Sequence, residues 1–338
     1  MKSEFDQGRH AEEVTTGRGQ GTGLNVSVQG TIQGDASSST HEIESLQECY
    51  VAMRMARAVD EMELELVARG DAFFQASGAG HEGMAMLHQF LIPTDWLHLH
   101  YRDKALMLAR GVTPSAFFHG LLATAESSSG GRQMTPFMSE PSLRILSQVT
   151  PVGNHALQAV GVASVIKDEP DRPIVVCTLG DGTSQQGEVL EAIAEAVRSE
   201  LPVLFVIEDN AYSISTPTRH RTFYSLPPGY LSADRYYGLQ IHRLDGRDVA
   251  SSSGPMGAVV SEVRHRRGPA IVVIEVDRLA SHSNADDERV YRPAREIEWA
   301  RRYGDPLRNL EDRLIGQGVP RATLSEIETR VLAEVWAA

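Results

Sequence analysis

The chain has 338 residues, 41% of them hydrophobic, enough to bury one large α/β core or two ordinary ones, and one large domain with extensions is the expectation. A formal net charge of −13 excludes the electrostatics of a nucleic-acid partner, whose phosphates need clustered Lys and Arg. No signal-peptide core and no apolar run of about 18 residues is present, so a cytoplasmic protein without a membrane span is expected. Cys49 and Cys177, in no metal or redox spacing, read as buried small hydrophobes.

Residues 1–38 are rich in Gly, Ser, Thr and Gln and lack periodicity, which predicts a disordered leader. Order is expected from Ser39, spaced with Glu42 as a capping box ahead of the helical series Ile43, Leu46, Tyr50 and Met53, ending near Gly70. A second helix is predicted over 81–90. Its His81-Glu82 pair is not a zinc-protease helix, because position 85 is Ala. His98 and His100 alternate as on a strand, but two His without a third ligand are weak evidence for a metal. Residues 103–110 read as a helix stopped by Gly111 and Pro114. The Gly- and Pro-punctuated stretch from 130 to 153 reads as a long functional loop, followed by a small-residue helix over 154–167.

Strand and helix then alternate. "PIVVCTL" (173–179) and "PVLFVI" (202–207) are uninterrupted β-rich runs, as expected of strands buried on both faces, and residues 188–200 between them carry a helical stripe. This is a βαβ crossover of a doubly wound, mostly parallel sheet flanked by helices. "LQIHRL" (239–244) and "PAIVVIEV" (269–276) supply two more strands, and residues 295–338 read as amphipathic helices forming a C-terminal extension of a single domain over 39–338.

In such a sheet ligands bind beyond the C-terminal strand ends. Gly180-Asp181-Gly182 and, 29 residues after Asp181, Asn210 stand at two of them. A carboxylate beside a diphosphate needs an intervening cation, and Asp181, the Asn210 amide oxygen, a loop carbonyl and phosphate oxygens suit Mg²⁺. A capped turn would explain Gly-Asp-Gly alone; the pair on two strand ends is the stronger signal. No GxGxxG follows the strand, which disfavours a dinucleotide site.

The pair resembles the thiamine diphosphate motif. With "DWLHLHYRDKALMLARGVTP", "GRQM", "PVGNHALQAVGVA", "EDNAYSISTPT" and "SHSNADDERVYRP" in order, residues 45–335 resemble the α subunit of the first component of 2-oxo acid dehydrogenase complexes, of the branched-chain, acetoin and pyruvate type. The resemblance implies the thiamine diphosphate-binding fold, with thiamine diphosphate and Mg²⁺ as cofactors. Asp181 and Asn210 would bind Mg²⁺ by side chains and Tyr212 by its carbonyl. Tyr101 and Arg102 would hold the diphosphate, Thr150 and Val152 line the aminopyrimidine, and Gly180, Gly182 and Thr183 contact the cofactor. His282 would be the active-site histidine of a loop whose Ser281 and Ser283 match positions of regulatory phosphorylation. The implied reaction is decarboxylation of a small 2-oxo acid with reductive acylation of a lipoyl-bearing acyltransferase. A β subunit would complete the site in an α₂β₂ assembly. His155, Arg221 and Asp209 depart from the family pattern; the first two are expected near the substrate channel. A split carboligase half passing its activated fragment to an aldehyde, and a degenerate assembly subunit, are the alternatives.

Overall fold

In the computed structural model, which describes residues 36–230 and 233–338, the chain begins with α1 (Ala36–Arg69), a 3₁₀ helix (Glu82–Phe90), β1 (Trp96–His98), α2 (Lys104–Arg110), α3 (Pro114–Leu121) and α4 (Asn154–Ile166). It continues with β2 (Val175–Gly180), α5 (Gly187–Arg198), β3 (Val203–Asp209), β4 (Tyr212–Ser213), β5 (Thr216–Pro217) and β6 (Arg235–Tyr236). The last elements are β7 (Leu239–Asp245), α6 (Val249–Arg266), β8 (Ala270–Glu275), α7 (Ala294–Tyr303), α8 (Pro306–Gly316) and α9 (Arg321–Ala337). One sheet runs in the order β1-β2-β3-β8-β7-β6, parallel throughout except at β6–β7, while β4 and β5 form a separate hairpin.

The pleat sorts each strand's side chains between two cores. Val176, Leu204, Val206, Val272 and Ile274 pack on the side of α1, α2, α6 and α8. Val175, Cys177, Leu179, Val203, Phe205 and Ile207 pack on the side of α4 and α5. There, Ala156, Ala159 and Ala163 of α4 meet Ala192 and Ala196 of α5, and the absence of bulky side chains lets both helices lie close to the strands. Each Leu or Val so buried contributes about 1.5–3 kcal/mol relative to exposure.

The leader expected over 1–38 lies outside the described residues up to residue 35, and residues 36–38 belong to α1. The capping box is therefore corrected: the helix is already formed at Ser39. The helix expected over 81–90 is 3₁₀, where the Glu82 carboxylate turns back to the Gly80 N–H (2.6 Å) and to Arg57 (2.6 Å). Helices α8 and α9 bring Leu310, Leu314, Leu324, Val331 and Val335 into the core that contains α1. Among the described residues no helix is long and apolar enough to cross a membrane.

Candidate active site

Parallel pairing sets Gly180 at the end of β2 opposite Glu208 in β3, so Asp181 and Asn210 emerge together along the edge formed by the C-terminal strand ends. Asp181 is 2% exposed, and its Oδ2 accepts a hydrogen bond from Thr218 Oγ1 (2.5 Å). Burial pushes its carboxyl up to about 6, and among the described residues no Lys or Arg forms an ion pair with it. Asn210 Oδ1 accepts from the Tyr212 N–H (3.1 Å), a turn for which Ala211 takes a φ of 63° and Asp209 Oδ1 accepts from the Ala211 N–H (2.9 Å). The turn leads into the β4–β5 hairpin, whose Ser213 leans on Gly182. A Cβ built on Gly182 would overlap Ser213 Oγ and Cβ and lie 3.3 Å from its Cα.

Tyr101, Arg102 and His282, distant in sequence, form a second group. The Arg102 guanidinium donates to the Ser77 carbonyl, to the His282 carbonyl (3.0 Å), to His282 Nδ1 (3.0 Å) and to Tyr101 Oη (3.4 Å). Tyr101 stands edge-on to His282 with ring centroids 6.4 Å apart. Because guanidinium only donates, His282 Nδ1 must accept, which leaves the proton on Nε2. Burial, then the charges of Arg102 and Arg278, hold His282 down at about 4, so it is neutral near pH 7. Its loop is latched: Asp286 Oδ2 accepts from the His282 N–H (2.8 Å) and from Tyr291 Oη (2.5 Å). Arg278 donates to Tyr291 Oη (2.5 Å) and to the Ile214 carbonyl of the hairpin (3.1 Å).

His100 joins the two groups, its ring tilted 42° against Tyr101 with centroids 4.1 Å apart and its Nε2 3.7 Å from where a Gly180 Cβ would stand. Thr150 and Val152 are exposed on a loop held in place by its neighbours. Gln148 donates to the His100 carbonyl (2.9 Å), and Gly153, at a φ of 90°, presses on Gln186, just beyond Thr183, with no room for a Cβ. Among the described residues no hydrogen bond joins Thr150 or Val152 to Asp181 or Arg102.

Sequence reasoning missed a buried polar layer beneath this rim. His81 Nδ1 lies 2.6 Å from Glu208 Oε2, both side chains fully buried, and His81 Nε2 lies 3.4 Å from Asn210 Nδ2. Burial raises the carboxyls of Glu208 and Asp103, Glu208 to about 8. The available signal was Glu208 itself, a charge ending an apolar strand beside Asp209. His155, expected near the substrate channel, is buried in the first turn of α4, its Nε2 2.9 Å from the Thr178 carbonyl of β2. Arg221 is exposed, its N–H bonded to the carbonyl of Thr218 (2.9 Å), the residue that holds Asp181.

Residues 50–338 match the family described as dehydrogenase E1 component. The 2-oxoisovalerate dehydrogenase subunit alpha of Bacillus subtilis is 30% identical over 293 residues, spanning 85% of this chain and 86% of that protein. The pyruvate dehydrogenase E1 component subunit alpha of Zymomonas mobilis is 30% identical over 295 residues, 86% of this chain and 82% of its own. The 3-methyl-2-oxobutanoate dehydrogenase subunit alpha of Mycobacterium tuberculosis is 29% identical over 285 residues, 84% and 74%. With a match over most of its length, and with its parallel sheet carrying Asp181 and Asn210 at one edge, the chain belongs to the dehydrogenase E1 component family.

Proposed function

We propose that this chain is the α subunit of a thiamine diphosphate-dependent 2-oxo acid dehydrogenase. It would decarboxylate a small 2-oxo acid and acylate the lipoyl group of an acyltransferase, with a β subunit completing the site in an α₂β₂ assembly. The observation that carries the reading is the edge formed by Asp181 and Asn210 on neighbouring parallel strands. The names of the relatives agree on 2-oxo acid dehydrogenation and differ in the 2-oxo acid.

The residues present fit the cofactor. Asp181 is a buried carboxyl whose hydrogen-bond partner is a neutral hydroxyl, and with the Asn210 amide oxygen and the Tyr212 carbonyl it makes an oxygen donor set for Mg²⁺. The absence of a Cβ at Gly182 keeps backbone close to the edge, and Arg102 supplies a positive fork suited to a diphosphate. Bound thiamine diphosphate supplies the nucleophilic carbon and the electron sink for loss of CO₂.

The chain's own residues then divide the work. Asp181, Asn210 and Tyr212 hold the cation, Tyr101 and Arg102 hold the diphosphate, and Gly180, Gly182 and Thr183 give contacts at the strand end. Thr150 and Val152 line the aminopyrimidine side. His282, neutral and protonated at Nε2, presents a hydrogen-bond donor for a substrate oxygen without adding a full charge.

The test is calorimetry with thiamine diphosphate and Mg²⁺ on the chain co-purified with its β subunit, followed by decarboxylation of 2-oxo acids and acylation of a lipoyl domain. Metal-dependent cofactor binding and acyl transfer are expected. Absence of binding overturns the reading, and full turnover by the lone chain overturns its β-subunit part.

A further inference from the structure

Beneath the edge lies a hydrogen-bonded series that fixes the orientation of one side chain. The Tyr212 backbone N–H can only donate, so the Asn210 atom it meets at 3.1 Å is the amide oxygen. The amide nitrogen therefore faces His81 Nε2 at 3.4 Å, and Nε2 must accept. His81 is then protonated at Nδ1, which donates to Glu208 Oε2 at 2.6 Å. Among the described residues Glu208 Oε1 has no hydrogen-bond partner, so Oε2 is the Glu208 oxygen engaged, and towards His81 Nδ1–H it accepts.

We infer that His81, held in one tautomer by Glu208, is a positioning residue that keeps the amide nitrogen of Asn210 turned inward and a lone pair of its oxygen presented to the cation. The inference rests on the proposed Mg²⁺ site. A side chain amide has two faces of similar shape, and only the oxygen ligates a hard cation. A ligand's outer hydrogen bond sets which face is presented, and its loss costs about 10–100-fold in metal affinity.

The experiment measures Mg²⁺-dependent thiamine diphosphate binding, and Mn²⁺ binding by electron paramagnetic resonance, in the full chain co-purified with its β subunit. His81→Met, which offers the amide only a weak thioether acceptor and no partner for Glu208, is expected to weaken metal binding by about 10–100-fold. His81→Gln offers an acceptor and a donor in one side chain and is expected to restore most of it. In an Asn210→Ala background the His81→Met change is expected to add nothing further. Metal affinity unchanged in His81→Met, with Asn210→Ala still impaired, overturns this inference and leaves the site standing. Unimpaired binding in Asn210→Ala overturns the site itself. Where His81→Met does not fold, the ¹⁵N spectrum of histidine-labelled protein decides: Nδ1–H is expected for His81, and a proton on Nε2 overturns the assignment.

Discussion

Gly182→Ala isolates the geometry of the edge from its chemistry. The residue has a φ of −64°, ordinary for alanine, so backbone strain is not the obstacle. The obstacle is Ser213, whose Cβ and Oγ occupy the position of the new methyl and whose Cα lies 3.3 Å from it. Rotation of the serine removes Oγ alone, so the hairpin backbone itself must retreat. Such overpacking costs about 1–3 kcal/mol. The retreat pulls on Tyr212, one residue before Ser213, and hence on the N–H that holds the Asn210 oxygen. If the whole cost falls on the bound state, cofactor affinity drops about 5- to 150-fold. Titration calorimetry with thiamine diphosphate and Mg²⁺ measures it, and Gly182→Ala combined with Ser213→Gly is expected to recover most of the loss. Wild-type affinity in Gly182→Ala, or no recovery in the double variant, refutes the reasoning.

Three further outcomes are expected. Lys104→Met leaves the buried Asp60 and Glu63 carboxylates without their cation and costs about 3–5 kcal/mol in denaturant unfolding. Asp181→Asn removes a group whose folded pKa, about 6, stands above its ordinary 3.8. Its contribution to stability is present below 3.8 and lost as pH rises through 6. The cofactor-free variant is therefore expected to exceed wild type at pH 7 by up to about 3 kcal/mol, to match it below pH 4, and to lose its response to Mg²⁺. His282 is the opposite case: held at about 4, its contribution is present above 6.5 and lost as pH falls through 4. Arg102→Met is expected to raise that value while leaving it below 6.5, because burial and Arg278 persist. A proton resonance titration of the histidine ring checks it, and no shift contradicts the role given to Arg102.

What was legible in the sequence follows from how local each signal is. Strands β2, β3 and β8 stand out because burial on both faces demands uninterrupted apolar residues. Helix α6 was hidden, since Gly254, Pro255 and Gly257 read as breakers, yet its Asp248 cap and the buried Met256, Val259, Val260 and Val263 hold it. Asp181 and Asn210 were readable from spacing because one crossover joins their strands. Tyr101, Arg102 and His282 were reached only through the ordered blocks, for nothing local tells that residues 102 and 282 touch. Glu208 and His81 escaped for the same reason, as a partner 127 positions away leaves no periodic trace. His155 stood out only as a departure from the family pattern, and its bond to the Thr178 carbonyl comes from the α4 register, which the sequence does not display.

The latch on the His282 loop has a consequence in time. Asp286, Tyr291 and Arg278 tie the loop to the carbonyl of Ile214, so the histidine and the hairpin beside Asn210 share one set of fastenings. Opening the loop breaks several of these bonds together instead of one after another. Loop motions that need such concerted release fall in the microsecond-to-millisecond range, far slower than the rattling of an untethered loop and the range in which loop opening can set a turnover rate.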